Sequence, residues 1–254
     1  MERTAYHQIA AIEDTHWWFV YRRRLVAHLI EAAGGMRGEA ALDIGCGTGG
    51  NLPFLKKYCA TVSGLDLSED AIALAHKKFP HGDFRCGDLN RLRELYSPRS
   101  FDLISDFNVL YHSWVKSDLQ SVLDVYELLR PGGVFIATEP AFSILRRAHD
   151  VIDQGARRYT LGQLKRMLEE ADFLDVRGTY FNLPALPLAF LLAAVDWLHR
   201  PPKTEQSVAE LHPPPKWIDG IIRSLLAAEL GVIKTFGRVP CGVSIACIAR
   251  KLSA

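Results

Sequence analysis

The chain has 254 residues, 30 basic and 29 acidic, with a formal charge of +1. Apolar types at 48% and charged types at 23% suffice for a full buried core and exclude a disordered chain, a collagen or a disulfide-stapled miniature. The balanced charge excludes a broad phosphate-gathering surface, so any charged partner has to meet a local patch.

The cysteines at 46, 59, 86, 241 and 247 show neither a C-x-x-C pair nor the histidine spacing of a zinc site. Reduced thiols, a cytoplasmic location and no metal are therefore expected. The first dozen residues lack a basic stretch followed by an apolar one, so no secretory signal is expected. A nucleotide-binding α/β domain needs about 200 residues, which leaves roughly 50 to be placed.

Short β-branched runs at 40–44, 61–66, 84–87, 101–106 and 134–138 alternate with amphipathic helical stretches. This is the pattern of βαβ units and a parallel sheet covered on both faces. Ser68 is placed to cap a helix that carries Glu69 and Asp70 in its first turn and stops at Phe79, before Pro80. Leu119, Val122, Leu123, Tyr126 and Leu129 share one helical face after Ser117, and Pro131-Gly132-Gly133 is expected to end that helix. Thr160 and Gln163 predict a capping box. Strands follow at 173–181 and 242–250. Between them, 183–240 breaks the alternation with most of the prolines and two helical patches, 186–198 and 217–230, which could pack on each other.

The run Asp43-Ile44-Gly45-Cys46-Gly47-Thr48-Gly49-Gly50 places a glycine turn between a strand and a helix, where backbone can approach a nucleotide closely. Gly45-x-Gly47-x-x-Gly50 also fits the dinucleotide fingerprint, with Asp66 at the distance of a ribose-binding acid. Three features favour S-adenosylmethionine over a nicotinamide: Asp43 before the glycines, Gly87-Asp88-Leu89 after the third strand, and a long segment before the first. Cys46 fits between the glycines as a packing residue.

In order, Asp43 to Gly49, Leu65-Asp66-Leu67-Ser68 and Gly87-Asp88-Leu89 resemble the class I S-adenosylmethionine-dependent methyltransferases. The resemblance implies that Asp43, Gly45, Cys46 and Gly47 surround the methionine portion of the cofactor and that Asp66 accepts the ribose hydroxyls. It further implies Leu67 packed on the adenine, Asp88 accepting from its amino group and the Leu89 amide meeting a ring nitrogen. A closer likeness starts at Glu13-Asp14-Thr15-His16-Trp17-Trp18-Phe19, followed by Arg22-Arg23-Arg24. It resembles the E-x-x-H-W-W-F…R-R signature of a bacterial branch of these enzymes. Arg157-Arg158-Tyr159-Thr160, Tyr180-Phe181-Asn182-Leu183-Pro184 and Gly242-Val243-Ser244-Ile245 extend it over nearly the whole chain, with Ala156 where the branch often has histidine. The aromatic segment reads as a helix packed on the sheet edge, as a flap bringing Arg22 or Arg23 to the cofactor carboxylate, or as a membrane-surface anchor.

In an open parallel sheet ligands sit at the carboxyl ends of strands, so Asp106 and Phe107 border the cofactor and the run to His112 borders the reaction centre. Methyl transfer from a sulfonium needs alignment first, and a base only for a neutral hydroxyl or a protonated amine. His112 is the leading candidate base against a structural histidine, and Glu139 is the second against an exposed loop acid. Tyr111 is placed to orient an acceptor.

The apolar run at 183–195 is too short to span a bilayer. It reads as a lid over a hydrophobic acceptor in preference to a purely structural pair of helices, a dimer surface or a peripheral membrane contact. Trp197, His199, His212 and Trp217 are its candidate lining, and Pro201-Pro202 and Pro213-Pro214-Pro215 bound a connector.

The expected architecture is a single Rossmann-like α/β domain with a seven-stranded, mostly parallel sheet. It divides into an N-terminal helical cap (1–38), a cofactor core (39–182), a helical insertion (183–240) and a closing antiparallel strand (241–254). The expected reaction moves a methyl from S-adenosyl-L-methionine to oxygen or nitrogen of a small, fairly apolar metabolite or lipid-linked intermediate. A noncatalytic S-adenosylmethionine-binding module and a nicotinamide oxidoreductase are the alternatives. No nucleic-acid partner and no transmembrane span are expected, and neither the acceptor nor the oligomeric state is written in the sequence.

Overall fold

The computed structural model describes residues 3–147, 150, 154–199 and 214–253. The chain opens with helices α1 (Arg3–Ile12) and α2 (Trp17–Ala32). Strands β1 (Gly38–Ile44), β2 (Cys59–Asp66) and β3 (Asp83–Cys86) follow, linked by helices α3 (Leu52–Leu55) and α4 (Glu69–Lys78). Helix α5 (Leu92–Leu95) leads to β4 (Phe101–Phe107), then α6 (Asp118–Leu128), β5 (Leu129–Pro140) and α7 (Leu161–Glu170). Strand β6 (Leu174–Phe181), helices α8 (Leu186–His199) and α9 (Lys216–Phe236) and strand β7 (Ser244–Arg250) complete it.

One seven-stranded sheet has the order β3-β2-β1-β4-β5-β7-β6, with only β7 antiparallel to its neighbours. Its central strands are continuous apolar runs because helices cover both faces; Leu42, Ile44, Leu103, Ile104 and Ile136 are fully buried. The chain builds outward from β1 to β3 and then returns to lay β4 against the other side of β1. That reversal opens a crevice at the carboxyl ends of β1 and β4.

The expected caps are in place. Ser68 Oγ accepts from the Ala71 N–H at 3.3 Å, Ser117 Oγ from Gln120 at 3.1 Å, and Thr160 and Gln163 form both halves of their box. One boundary differs from expectation. The helix before β5 ends at Leu128, and the strand takes in Pro131-Gly132-Gly133. Leu129 already pairs with Phe101, and the register shifts before Val134 meets Leu103. Gly132, at φ 77°, turns the chain within that irregularity, so the tripeptide bends a strand instead of stopping a helix.

The insertion leaves and rejoins the sheet at the edge that carries the crevice, since Phe181 and Pro140 both pair with Ser244. Of the arrangements open to its two helices, the structure does not chiefly pack them on each other. Helix α9 lies on α2 and on the turn Leu183–Ala185, and α8 lies on that turn and on Ser143–Leu145. The cause is the inner stripe of α9, Ile222, Leu226, Leu230 and Ile233, which joins the main core. Residues 201–213, with the expected connector prolines Pro201, Pro202 and Pro213 and with His212, lie outside the described residues, as does the His199 side chain.

Glu229 fixes α9 in place. Its buried carboxylate accepts from Tyr21 Oη at 2.5 Å and from the backbone N–H groups of Asn182 at 2.9 Å and Leu183 at 2.6 Å. Removing an acceptor from buried donors costs about 1–3 kcal/mol each. Glu229→Ala is therefore expected to lower the thermal midpoint by roughly 5–12 °C, and Glu229→Gln, which keeps one acceptor oxygen, by less. Equal midpoints for wild type and Glu229→Ala in a calorimetric scan would contradict the clamp.

Candidate active site

The glycine turn after β1 is shaped by steric necessity. Gly45 has φ 65°, and an added Cβ would lie 2.2 Å from Val109 Cγ2. Gly47, at φ 54°, faces open space with nothing within 4 Å of where a Cβ would stand. Gly50 serves a different end: a Cβ there would lie 2.1 Å from Glu13 Oε2. The third glycine of the apparent dinucleotide fingerprint thus makes room for the N-terminal segment. Glu13 is buried in that gap, accepting from Thr48 Oγ1 at 2.7 Å and from Lys78 Nζ at 3.0 Å.

Asp66 stands at the end of β2 beside the open face of Gly47. Its Oδ2 accepts from the Gly47 N–H at 2.8 Å and its Oδ1 from Ser68 at 2.9 Å. Burial raises its pKa, and these two donors offset part of that rise. Tyr6 of α1 reaches the same corner, and burial next to Asp66 pushes its phenol up to about 12. Leu67, 46% exposed, forms an apolar rim, and Asp88 caps the short turn Leu89–Arg91 by accepting from the Asn90 N–H at 2.9 Å. Leu89 itself is buried. Cys46 packs against β2, where a Cβ at Gly64 would come within 2.7 Å of its Sγ; burial raises its thiol pKa well above the ordinary value. A neutral thiol in that position is a filler.

Asp43 is fully buried below the turn, accepting from Ser105 Oγ at 2.6 Å and Asn51 Nδ2 at 3.3 Å, and burial pushes it up to about 6. Above it, α2 inserts Arg22. The guanidinium lies 4.5 Å from the Trp18 ring centre and 4.8 Å from that of Phe107, and Nη1 donates to Asn108 Oδ1 at 3.2 Å. Burial lowers its pKa to about 10, with Asp43 as the leading opposing charge, so it remains a cation at neutral pH. Its Nε has no hydrogen-bond partner among the described residues. The aromatic segment is therefore seated over the crevice, not along the sheet edge. His16 caps α2 by accepting from the Trp18 N–H at 3.3 Å.

Asp106 and Glu139 end adjacent strands side by side, both fully buried. Asp106 Oδ1 accepts from the Val109 N–H at 2.9 Å, and Glu139 Oε1 from Leu110 at 3.1 Å and Val109 at 3.3 Å. Their outer oxygens, Asp106 Oδ2 and Glu139 Oε2, meet no hydrogen-bond partner among the described residues, so burial and mutual repulsion favour a proton shared by the pair. Burial pushes Asp106 up to about 7, and burial with the neighbouring Asp106 charge raises Glu139 well above its ordinary value. Glu139 is thus no water-exposed loop acid; it lies inside β5.

The loop after β4 is stacked and pinned. His112 packs on Tyr111 at 4.1 Å and on Trp114 at 5.5 Å between ring centres, and the Tyr111 carbonyl accepts from Ala156 and Arg157. The structure does not bring Trp197 or Trp217 to this place: they are 77% and 69% exposed on the insertion. Sequence reading missed Tyr6, Ser105 and Thr138, which are scattered polar residues without a motif, and assigned no role to Asn108 within the run that it placed at the reaction centre. No group of three metal-ligating side chains occurs among the described residues.

Residues 41–133 match the family model described as a methyltransferase domain. A probable S-adenosylmethionine-dependent methyltransferase from Mycolicibacterium smegmatis is 30% identical over 173 residues, covering 67% of this chain and 64% of that protein. A fatty-acid O-methyltransferase from the same organism is 29% identical over 164 residues, covering 63% of this chain and 56% of that protein. The chain thus spans less than two thirds of these curated relatives. An S-adenosylmethionine-dependent methyltransferase structure from Mesorhizobium loti aligns with a TM-score of 0.61 at 19% identity, covering 94% of this chain and 99% of that one. The fold is thus that of the class I methyltransferases, and residues 41–133 are similar to a methyltransferase domain.

The buried acids set a pH dependence. An acid whose pKa is higher when folded than when unfolded holds an extra proton in the folded state. Its stabilising contribution is full below the unfolded value of about 4 and is lost as pH rises through the folded value. Asp43, Asp106 and Glu139 all shift in this direction. The unfolding midpoint of the ligand-free protein is expected to fall between about pH 5 and about pH 8. Glu139→Gln is expected to make that slope shallower in denaturant titrations, and an unchanged slope would exclude the shared proton.

Proposed function

We propose that this chain transfers a methyl group from S-adenosylmethionine to oxygen or nitrogen of a small, fairly apolar acceptor. The observations that carry this reading are the open face of Gly47 beside Asp66 and, at the same end of the sheet, the buried, incompletely bonded Arg22 near Asp43 and Asn108. A carboxylate for the ribose diol and a cation for the amino-acid carboxylate suit one nucleoside joined to an amino acid, and a nicotinamide dinucleotide has no such carboxylate. Leu67 would lie on the adenine, with Asp88 and the Leu89 N–H at its edge.

When bound, the cofactor supplies an activated methyl on a sulfonium. The chain's own part is alignment, worth roughly 7–11 kcal/mol in well-placed reactions. The Asp106–Glu139 pair holds the Val109 and Leu110 amides and so fixes the loop that presents His112. Glu139 is a positioning residue in this reading, and His112 takes the proton from a hydroxyl acceptor. Tyr111, stacked on His112, orients the acceptor. An apolar acceptor is supported by the insertion at the crevice edge and by the name of the fatty-acid O-methyltransferase relative.

Titration calorimetry tests the placement. Two charge-assisted hydrogen bonds at about 1.5 kcal/mol each make Asp66→Ala bind S-adenosylmethionine about 100-fold more weakly. Arg22→Gln is expected to weaken the same cofactor but not 5′-methylthioadenosine, which lacks the carboxylate, whereas Asp66→Ala weakens both. Equal losses for both ligands in Arg22→Gln would remove Arg22 from the carboxylate site. Incubation with labelled cofactor and a fractionated extract, followed by mass spectrometry, identifies the acceptor; the absence of any labelled product would favour a noncatalytic module.

A further inference from the structure

The chain leaves the carboxyl end of β6 through Asn182, whose backbone and side chain are in opposite conditions. The backbone is fully bonded: the N–H donates to Glu229 Oε1 at 2.9 Å and the carbonyl accepts from the Ala185 N–H at 3.2 Å. It lies in the left-handed region at φ 59°, which asparagine tolerates. The amide is not bonded. Asn182 is 1% exposed, and neither Nδ2 nor Oδ1 meets a hydrogen-bond partner among the described residues. A buried donor and a buried acceptor on one side chain have both given up water with nothing in return. What completes them comes from outside these residues, as a ligand or a buried water.

The surroundings of the amide favour a ligand. Strands β5 and β6 run the same way, since each pairs antiparallel with β7, and Pro140 and Phe181 flank Ser244 in one row. Asn182 therefore stands at the crevice end of the sheet. Phe142, just past β5, is also held at positive φ, 54°, so this corner is built against local backbone preference. Helix α8 lies on both strand exits, on Ser143–Leu145 after β5 and on Leu183–Ala185 after β6. Its less exposed stripe is Leu186, Ala189 and Ala193, and one turn further Asp196 pairs with Arg147 at 3.1 Å. A lone water needs about two to four polar partners, whereas this helix face offers apolar ones.

We propose that Asn182 recognises the acceptor: its amide holds a neutral polar group, a hydroxyl or a carboxamide, of an apolar molecule lying under α8. One donor and one acceptor side by side match a group that both accepts and donates, whereas a carboxylate only accepts and would leave Oδ1 facing an anion. The group on Asn182 is not the one that is methylated. Strand β6 is three strand steps from β4, about 14 Å at the usual spacing, so it is a second polar group, remote from the atom at the His112 loop. Naming this ligand the methyl acceptor rests on the transfer reading above; the binding of a neutral polar group by the amide does not.

Equilibrium dialysis with octanamide, 1-octanol and octanoate tests the binding without any methyl transfer. Wild type is expected to hold the amide and the alcohol at least about 10-fold more tightly than octanoate. Asn182→Gly, which suits the positive φ and lacks the amide, is expected to lose that preference. Its thermal midpoint and its affinity for S-adenosylmethionine are expected to match wild type, since no described residue bonds to the amide. In the labelled-extract assay it should raise the half-saturating acceptor concentration by at least about 10-fold and lower the saturated rate by less. No binding of octanamide to wild type, a preference for octanoate, or equal binding by wild type and Asn182→Gly overturns the proposal. So does a midpoint lowered by more than about 5 °C, which would assign the amide to the fold through a buried water. An unchanged half-saturating concentration in a variant that no longer holds octanamide overturns the acceptor role. A wild type that prefers octanamide but labels no product overturns the transfer reading and leaves the neutral-group site standing.

Discussion

A guanidinium buried at the head of the central strands is the constraint on which the site depends. Arg22 comes from a helix outside the sheet, yet it rests between Trp18 and Phe107 above Asp43. A buried cation is tolerated only where dipoles, ring faces and nearby carboxylates replace water. Meeting those conditions fixes α2 over the crevice, turns Asn108 into the left-handed region at φ 68° and ties it to Thr138 of β5 through a 3.1 Å hydrogen bond. Three segments remote in sequence are thereby locked around one charge.

The same economy governs the acids. Asp43, Asp106 and Glu139 are buried at the ends of three neighbouring strands, and each is bonded to the loop or strand beside it. Their raised pKa values follow from desolvation, and their hydrogen bonds hold the glycine turn and the His112 loop in register. Glu13 extends this network outward: its carboxylate fills the space over Gly50 and links the N-terminal helices to α4 through Lys78. Helix α9 is fixed by a comparable buried acid, Glu229, which leaves its opposite face turned to solvent.

Much of this was legible in the sequence because it is local. The seven strands, the Ser68, Ser117 and Thr160 caps and the glycine turn follow from side-chain period, capping chemistry and the need for positive φ, all of which act within a few residues. Expectation failed where local signals compete with packing. Pro131-Gly132-Gly133 looks like a helix stop, but pairing with β4 carries the strand through it. The two helices of the insertion could have been partners, but one lies chiefly on α2 and the other on the turns Leu183–Ala185 and Ser143–Leu145.

The amino-acid sequence by itself determined the fold class, the order of the strands along the chain and the position of the glycine turn, because periodicity and turn chemistry are properties of neighbouring residues. Only the tertiary structure decided that Arg22 is the cation of the crevice, that Glu139 is buried beside Asp106 and that Trp197 and Trp217 face away. Those outcomes depend on which surfaces meet across tens to hundreds of residues, and on the cost of burying a charge where they do.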